Sequence, residues 1–193
     1  LMDKDGNIML TDFGLAKFLS RSDRTHTFCG TPEYLAPEVL LQKGHGKPVD
    51  WWSYGTLIFE MLVGIPPFYS EHVQEMYDKI LNSDLILPEQ LMSTEAMDLL
   101  TRLLERDPRR RLGSGPTGWL EIKNHPFFDG IDWDALYNKR IQAPFKPNVK
   151  SELDTSFFDE EFTKQNPYDS DEEEYTLEVG SSVQKEFEGF TYE

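Results

Sequence analysis

The stretch from Val49 to Val63, VDWWSYGTLIFEMLV, is apolar almost all round, with Gly64 beyond it and Pro66-Pro67 as a stop. A helix without a polar face belongs inside a protein, so this segment predicts a buried helix that acts as the hub of the core. Neighbouring sequence offers packing partners. Glu71 to Leu81 places Val73, Met76, Tyr77, Ile80 and Leu81 at helical spacing, and Ser93 would cap a helix whose stripe is Ala96, Leu99, Leu100, Leu103 and Leu104. Asp107-Pro108 ends that helix, and Trp119 to Ile122 suggests one more short helix before His125-Pro126-Phe127-Phe128.

Either side of these helices the pattern changes. Leu1-Met2 and Ile8-Met9-Leu10 flank a turn at Asp3-Lys4-Asp5-Gly6, which predicts a short β-hairpin. Leu15 to Thr31 is polar and aperiodic, as expected of a loop. Beyond Phe128 come Pro144, Pro147, scattered aromatics and the acidic run Asp169 to Glu174, which read as a tail.

The 193 residues carry a formal charge of −16, from 35 acidic against 19 basic residues. Such a balance argues against sequence-independent binding to nucleic acid or anionic membranes and favours basic partners. From Asp129 onward 17 acids and 6 bases supply −11 of it, a shift that suggests two regions, 1–128 and 129–193. Cys29 is the single cysteine, so no internal disulfide is possible, and a reducing compartment fits. No apolar run approaches the ~20 residues needed to cross a bilayer, and the expectation is a soluble, intracellular protein. His26, His45, His72 and His125 show no ligand spacing and read as surface or packing residues.

Short motifs follow in order along the chain. They are Asp12-Phe13-Gly14, then GTPEYLAPE from Gly30 to Glu38, then Asp50-x-Trp52-x-x-Gly55, Arg111-Leu112-Gly113 and His125-Pro126-Phe127-Phe128. A lone tripeptide recurs by chance, but the ordered set resembles the C-lobe of the serine/threonine protein kinases of the AGC group. PFKPNV (Pro144 to Val149), DTSFFDEEFT (Asp154 to Thr163) and FEGFTY (Phe187 to Tyr192) extend the resemblance through the tail, close to protein kinase B, the serum- and glucocorticoid-regulated kinases and the ribosomal-protein kinases. The resemblance implies a protein-kinase-like α+β fold, here a mainly α-helical C-lobe with a short β-hairpin and an extended C-terminal tail, the N-lobe being absent. It also implies ATP-dependent phosphorylation of Ser or Thr in Arg-containing proteins, with ATP and Mg²⁺ as cofactors. Partners would be protein substrates with basic residues near the acceptor, and upstream activating kinases. A cytoplasmic protein is implied, with nuclear access left open.

Residue roles follow from the same resemblance. Asp12 would be the Mg²⁺ ligand, a hard carboxylate for a hard ion, while Phe13 would pack into the core and Gly14 permit a sharp turn. Ala36-Pro37-Glu38 closes the activation segment that Asp12-Phe13-Gly14 opens. Thr27 stands where family members carry the activating phosphate; the alternative is an unmodified loop hydroxyl, and Thr25 is a weaker candidate. Thr31 resembles the threonine that helps position the catalytic aspartate. Glu38 and Arg111 resemble a buried ion pair, and Asp50 the residue that hydrogen-bonds the catalytic loop, although as a bare sequence feature it would be an N-cap.

Glu60, with Glu33 as a second candidate, matches a position that meets a substrate arginine, against the alternative of a solvated helix charge. Phe158 resembles the tail aromatic that closes over adenine. Ser170, followed by Asp171, falls at the turn-motif phosphosite, or else in a solvated acidic stretch. Phe187, Phe190 and Tyr192 surround Thr191 in what resembles the hydrophobic motif, with Thr191 as its phosphosite. The family's glycine loop, strand lysine, partner glutamate and H-R-D loop all precede D-F-G. The chain is therefore expected to be the C-terminal part of a kinase, as an incomplete record or as a truncated, non-catalytic binding module.

Overall fold

The computed structural model describes residues 1–20 and 23–165, and the contacts separate Leu1–Phe145 from the chain beyond Lys146. The first unit is helical and assembled around α2, Pro48–Val63. Proline suits the first helical position because its missing N–H has no partner there and its φ is already set. The cap is therefore Lys47, and Asp50 lies inside the first turn, which corrects its reading as an N-cap. Gly64 closes the helix with φ 92°, donating its N–H to the Glu60 carbonyl at 2.7 Å.

Two apolar clusters meet on α2. Trp52 packs with Leu35, Ala36 and Val39 and with Met76 and Ile80 of α3, Val73–Asn82. Ile58 and Phe59 pack with Leu99, Leu100 and Leu103 of α4, Thr94–Leu103, and with Ile122 of the short α5, Trp119–Lys123. Ser93 caps α4 as its sequence predicts, accepting from the Ala96 N–H at 3.2 Å. Val73 departs from its predicted stripe: it opens the first turn of α3 and remains 44% exposed.

Gly55 permits α2 and α4 to approach closely. A Cβ there would come within 2.9 Å of Leu103 Cβ and 3.2 Å of the Leu104 side chain. Gly55→Ala gains up to about 1 kcal/mol of helix propensity and loses roughly 1–3 kcal/mol through overpacking. A net loss of about 1 kcal/mol is expected in urea unfolding, and a more stable variant would contradict the close approach.

Arg106 fastens the far end of α3. Its Nε donates to the Ile80 carbonyl at 2.7 Å, and Nη2 donates to the Lys79 carbonyl at 3.2 Å and to that of Ser83. The Lys79 carbonyl also accepts the Ser83 N–H at 3.0 Å, whereas those of Ile80 and of the cap residue Ser83 take no backbone donor among the described residues.

The predicted β-hairpin is not formed as strands. Among the described residues Met2 and Ile8 make an isolated antiparallel bridge, with Asp3 N–H to Asn7 O and Met9 N–H to Leu1 O both at 2.8 Å. The reason is local. Asp3 turns its carboxylate onto the backbone N–H groups of Asp5 and Asn7, tightening the loop into a knot with Gly6 at φ 87°. Those backbone donors hold the Asp3 carboxyl below its ordinary range.

The short α6, Trp133–Tyr137, belongs to the helical unit, and its Trp133 ring lies 5.6 Å from Phe128. In the second unit, Asp159 caps α7, Glu160–Thr163, by accepting from the Glu161 N–H at 2.9 Å. Asp154 accepts the N–H groups of Lys150 and Ser156, which pull its carboxyl down to about 2. Phe158 is 57% exposed there. Ser170, Phe187, Phe190, Thr191 and Tyr192 lie outside the described residues.

Candidate active site

Asp12 occupies the left-handed region at φ 61°, a conformation that costs a non-glycine residue energy and concentrates at functional sites. Its side chain is exposed, and among the described residues Oδ1 accepts only a long hydrogen bond from Gly14 N–H at 3.4 Å. Phe13 does not pack into the core. It is 65% exposed and belongs to neither apolar cluster, which corrects the expectation for that ring.

The chain then lines a cavity of about 450 Å³, bounded by Gly14 to Lys17, Thr25, Thr27, Thr31 and the first turns of α2. Thr25 pairs its backbone both ways with His45 at 2.9 Å, which anchors one point of the loop. Thr25 itself is 9% exposed, so the weaker candidate hydroxyl is the hidden one. Thr27 is exposed, with its Oγ1 3.2 Å from that of Thr25, and Lys17 Nζ lies 3.5 Å from Thr25 Oγ1. Thr31 is exposed on the cavity wall and precedes a single 3-10 turn, Pro32–Tyr34. Burial raises the Asp50 carboxyl, opposed by His45, and lowers the His45 imidazole, opposed by Glu38.

Ala36 and Pro37 are buried and lead into α1, Pro37–Leu40, whose Glu38 meets Arg111 in a two-pronged ion pair of 2.7 and 2.9 Å. Arg111 is 1% exposed and Glu38 7%. The guanidinium also donates to the carbonyls of Glu105 at 2.9 Å and Pro48 at 2.8 Å, and stacks 5.3 Å from the Trp52 ring. One side chain thus ties α1, the start of α2 and the loop after α4.

Tyr34 lies along α2. Its hydroxyl donates to Glu60 Oε2 and its carbonyl accepts from Ser53 Oγ at 3.0 Å. Burial, then the hydrogen bond with Glu60, then the charges of Glu60 and Glu33, push the phenol up to about 12. The Glu60 carboxylate is thus seated at the hydroxyl end of this ring.

Residues 1–128 match the family described as protein kinase domain, and residues 149–192 that described as protein kinase C terminal domain. The chain belongs to the protein kinase family. Among its relatives are serine/threonine-protein kinase gad8 of Schizosaccharomyces pombe, 53% identical across 100% of this chain and 33% of the relative. The RAC family serine/threonine-protein kinase homolog of Dictyostelium discoideum is 52% identical over 100% of this chain and 42% of its own length. Ribosomal protein S6 kinase beta of Caenorhabditis elegans is 50% identical over 100% of this chain and 34% of its own. These matches identify an AGC-group protein kinase, and the chain spans about a third of the length of the curated relatives it matches.

Sequence reasoning missed Tyr34, Ser53 and Lys17 in this protein kinase segment. Tyr34 sat inside the GTPEYLAPE motif, and Ser53 and Glu60 are seven residues apart, two turns on one helix face. That spacing was the available signal. Lys17 reaches Thr25 only through the loop's path, which carries no periodicity.

Proposed function

We propose that the protein carrying this segment transfers the γ-phosphoryl group of ATP to Ser or Thr in protein segments containing arginine. The observation carrying this reading is 50–53% identity over the whole chain to relatives named as serine/threonine-protein or ribosomal-protein kinases. The arginine preference is supported by the Glu60 carboxylate at the Tyr34 hydroxyl, with Glu33 on the adjoining turn as the second candidate, and by the acidic chain as a whole. A carboxylate accepts a guanidinium through paired charge-assisted hydrogen bonds.

Asp12 suits Mg²⁺, which prefers hard oxygen donors, retains water, and takes one or two carboxylates together with substrate phosphates. When bound, the ion neutralises charge on the phosphate oxygens. Asp12 presents its carboxylate to solvent for that purpose, while Thr31, on the cavity wall, helps position the catalytic aspartate. Phosphates at Thr27 and Thr191 switch the enzyme, and Ser170 is a further phosphosite. Thr27 fits this use because its hydroxyl is exposed in a loop anchored at Thr25, with Lys17 nearby.

The full-length protein, assayed with Mg²⁺-ATP, is expected to phosphorylate a serine peptide with arginines near the acceptor well above one with glutamates in their place. Equal rates on the two, or no transfer to serine, would overturn the reading.

A further inference from the structure

Tyr34 is held at both ends by one helix. Ser53 and Glu60 are two turns apart on α2, about 10 Å along its axis, and the tyrosine spans that interval from carbonyl to hydroxyl. The Ser53 hydroxyl has a choice of acceptors. A serine within a helix ordinarily returns its proton to the carbonyl four residues back, but here Val49 O lies at 3.3 Å and Tyr34 O nearer, at 3.0 Å. No backbone N–H donates to the Tyr34 carbonyl among the described residues. Ser53 is therefore the hydrogen-bond link between α2 and the main chain of the turn that carries Glu33.

This matters because Tyr34 and Glu60 sit on different elements, the Pro32–Tyr34 turn and α2. Leu35 and Ala36, packed with Trp52, anchor the chain just after the turn. The Ser53 bond adds the contact that sets the Tyr34 main chain against α2, and with it the place at which the phenol meets the Glu60 carboxylate.

We propose that Ser53 is a specificity-positioning residue, fixing Tyr34 against α2 so that the phenol holds the Glu60 carboxylate oriented for a substrate arginine. It rests on the arginine reading of Glu60. Alanine is the strongest helix former, so Ser53→Ala leaves α2 intact and removes only the hydroxyl.

The test uses the full-length protein with two serine peptides, one carrying arginines near the acceptor and one with alanines in their place. Wild type discriminates between them in kcat/KM, and Ser53→Ala is expected to reduce that ratio about 2- to 10-fold, the range of a single neutral hydrogen bond. The loss falls on KM for the arginine peptide, and Ser53→Thr, which keeps the donor, restores it. Should Ser53→Ala discriminate as wild type does, or should kcat fall equally on both peptides, the positioning role is wrong. A wild type that fails to discriminate overturns the arginine reading itself, and this proposal falls with it. Ser53→Cys, a weaker donor of similar size, is expected to lie between Ser and Ala, and a ratio equal to wild type would also count against the proposal.

Discussion

Arg111→Met is expected to lower the unfolding free energy by about 3–5 kcal/mol, because Glu38 then remains buried and charged without a partner. The burial is nearly complete on both sides, at 1% and 7% exposure. Three further acceptors, the carbonyls of Glu105, Pro48 and, at 3.5 Å, Arg106, lose the guanidinium as a donor in the same substitution. Changing both partners to apolar residues should recover most of the loss, since the penalty lies in the stranded charge more than in the pair. Urea unfolding of the single and double variants reads the difference, and a single variant within 1 kcal/mol of wild type would show that Glu38 finds water or another cation.

The second large effect is on activity. In the full-length protein Asp12→Asn should lower kcat by a factor on the order of 10²–10³, the cost of removing one group aimed at developing charge. Asparagine is the right replacement because it tolerates the left-handed backbone that Asp12 adopts at φ 61°. The side chain is exposed and makes one long hydrogen bond, so the thermal midpoint should not move. The Mg²⁺ concentration for half-maximal rate should rise. An unchanged kcat would remove Asp12 from the proposed site.

Much of the helical body was legible in the sequence, and the reason is physical. The hub helix α2 buries Trp52, Gly55, Thr56, Ile58 and Phe59 and the stripe of α4 is regular, so burial and periodicity located both helices, although Leu57 and Met61 of α2 stay exposed against the expectation of a helix buried all round. Ser93 named the start of α4 because a hydroxyl before an apolar stripe has one effective use. The ends read less well. Pro48 moved the start of α2 and turned Asp50 from a cap into a first-turn residue, since proline competes for that position. The hairpin failed as a strand pair because Asp3 spends its carboxylate on the turn's own backbone. At the site, Glu38 and Arg111 stand 73 residues apart and were linked only by family resemblance, with no local pattern connecting them. The Ser53 contact with Tyr34 crosses between elements, where sequence periodicity carries no information.

The Arg106 clasp bears on the order in which this chain assembles. Helix α3 is local in sequence, but its last turn is completed by a side chain 23 to 27 residues further on. Ser83 N–H closes the Lys79 carbonyl locally, but the Ile80 and Ser83 carbonyls wait until the chain has run through α4 and come back. A short helix, which could in principle nucleate by itself, thus has part of its C-terminal end tied to long-range closure, and those two carbonyls gain their partner late in folding.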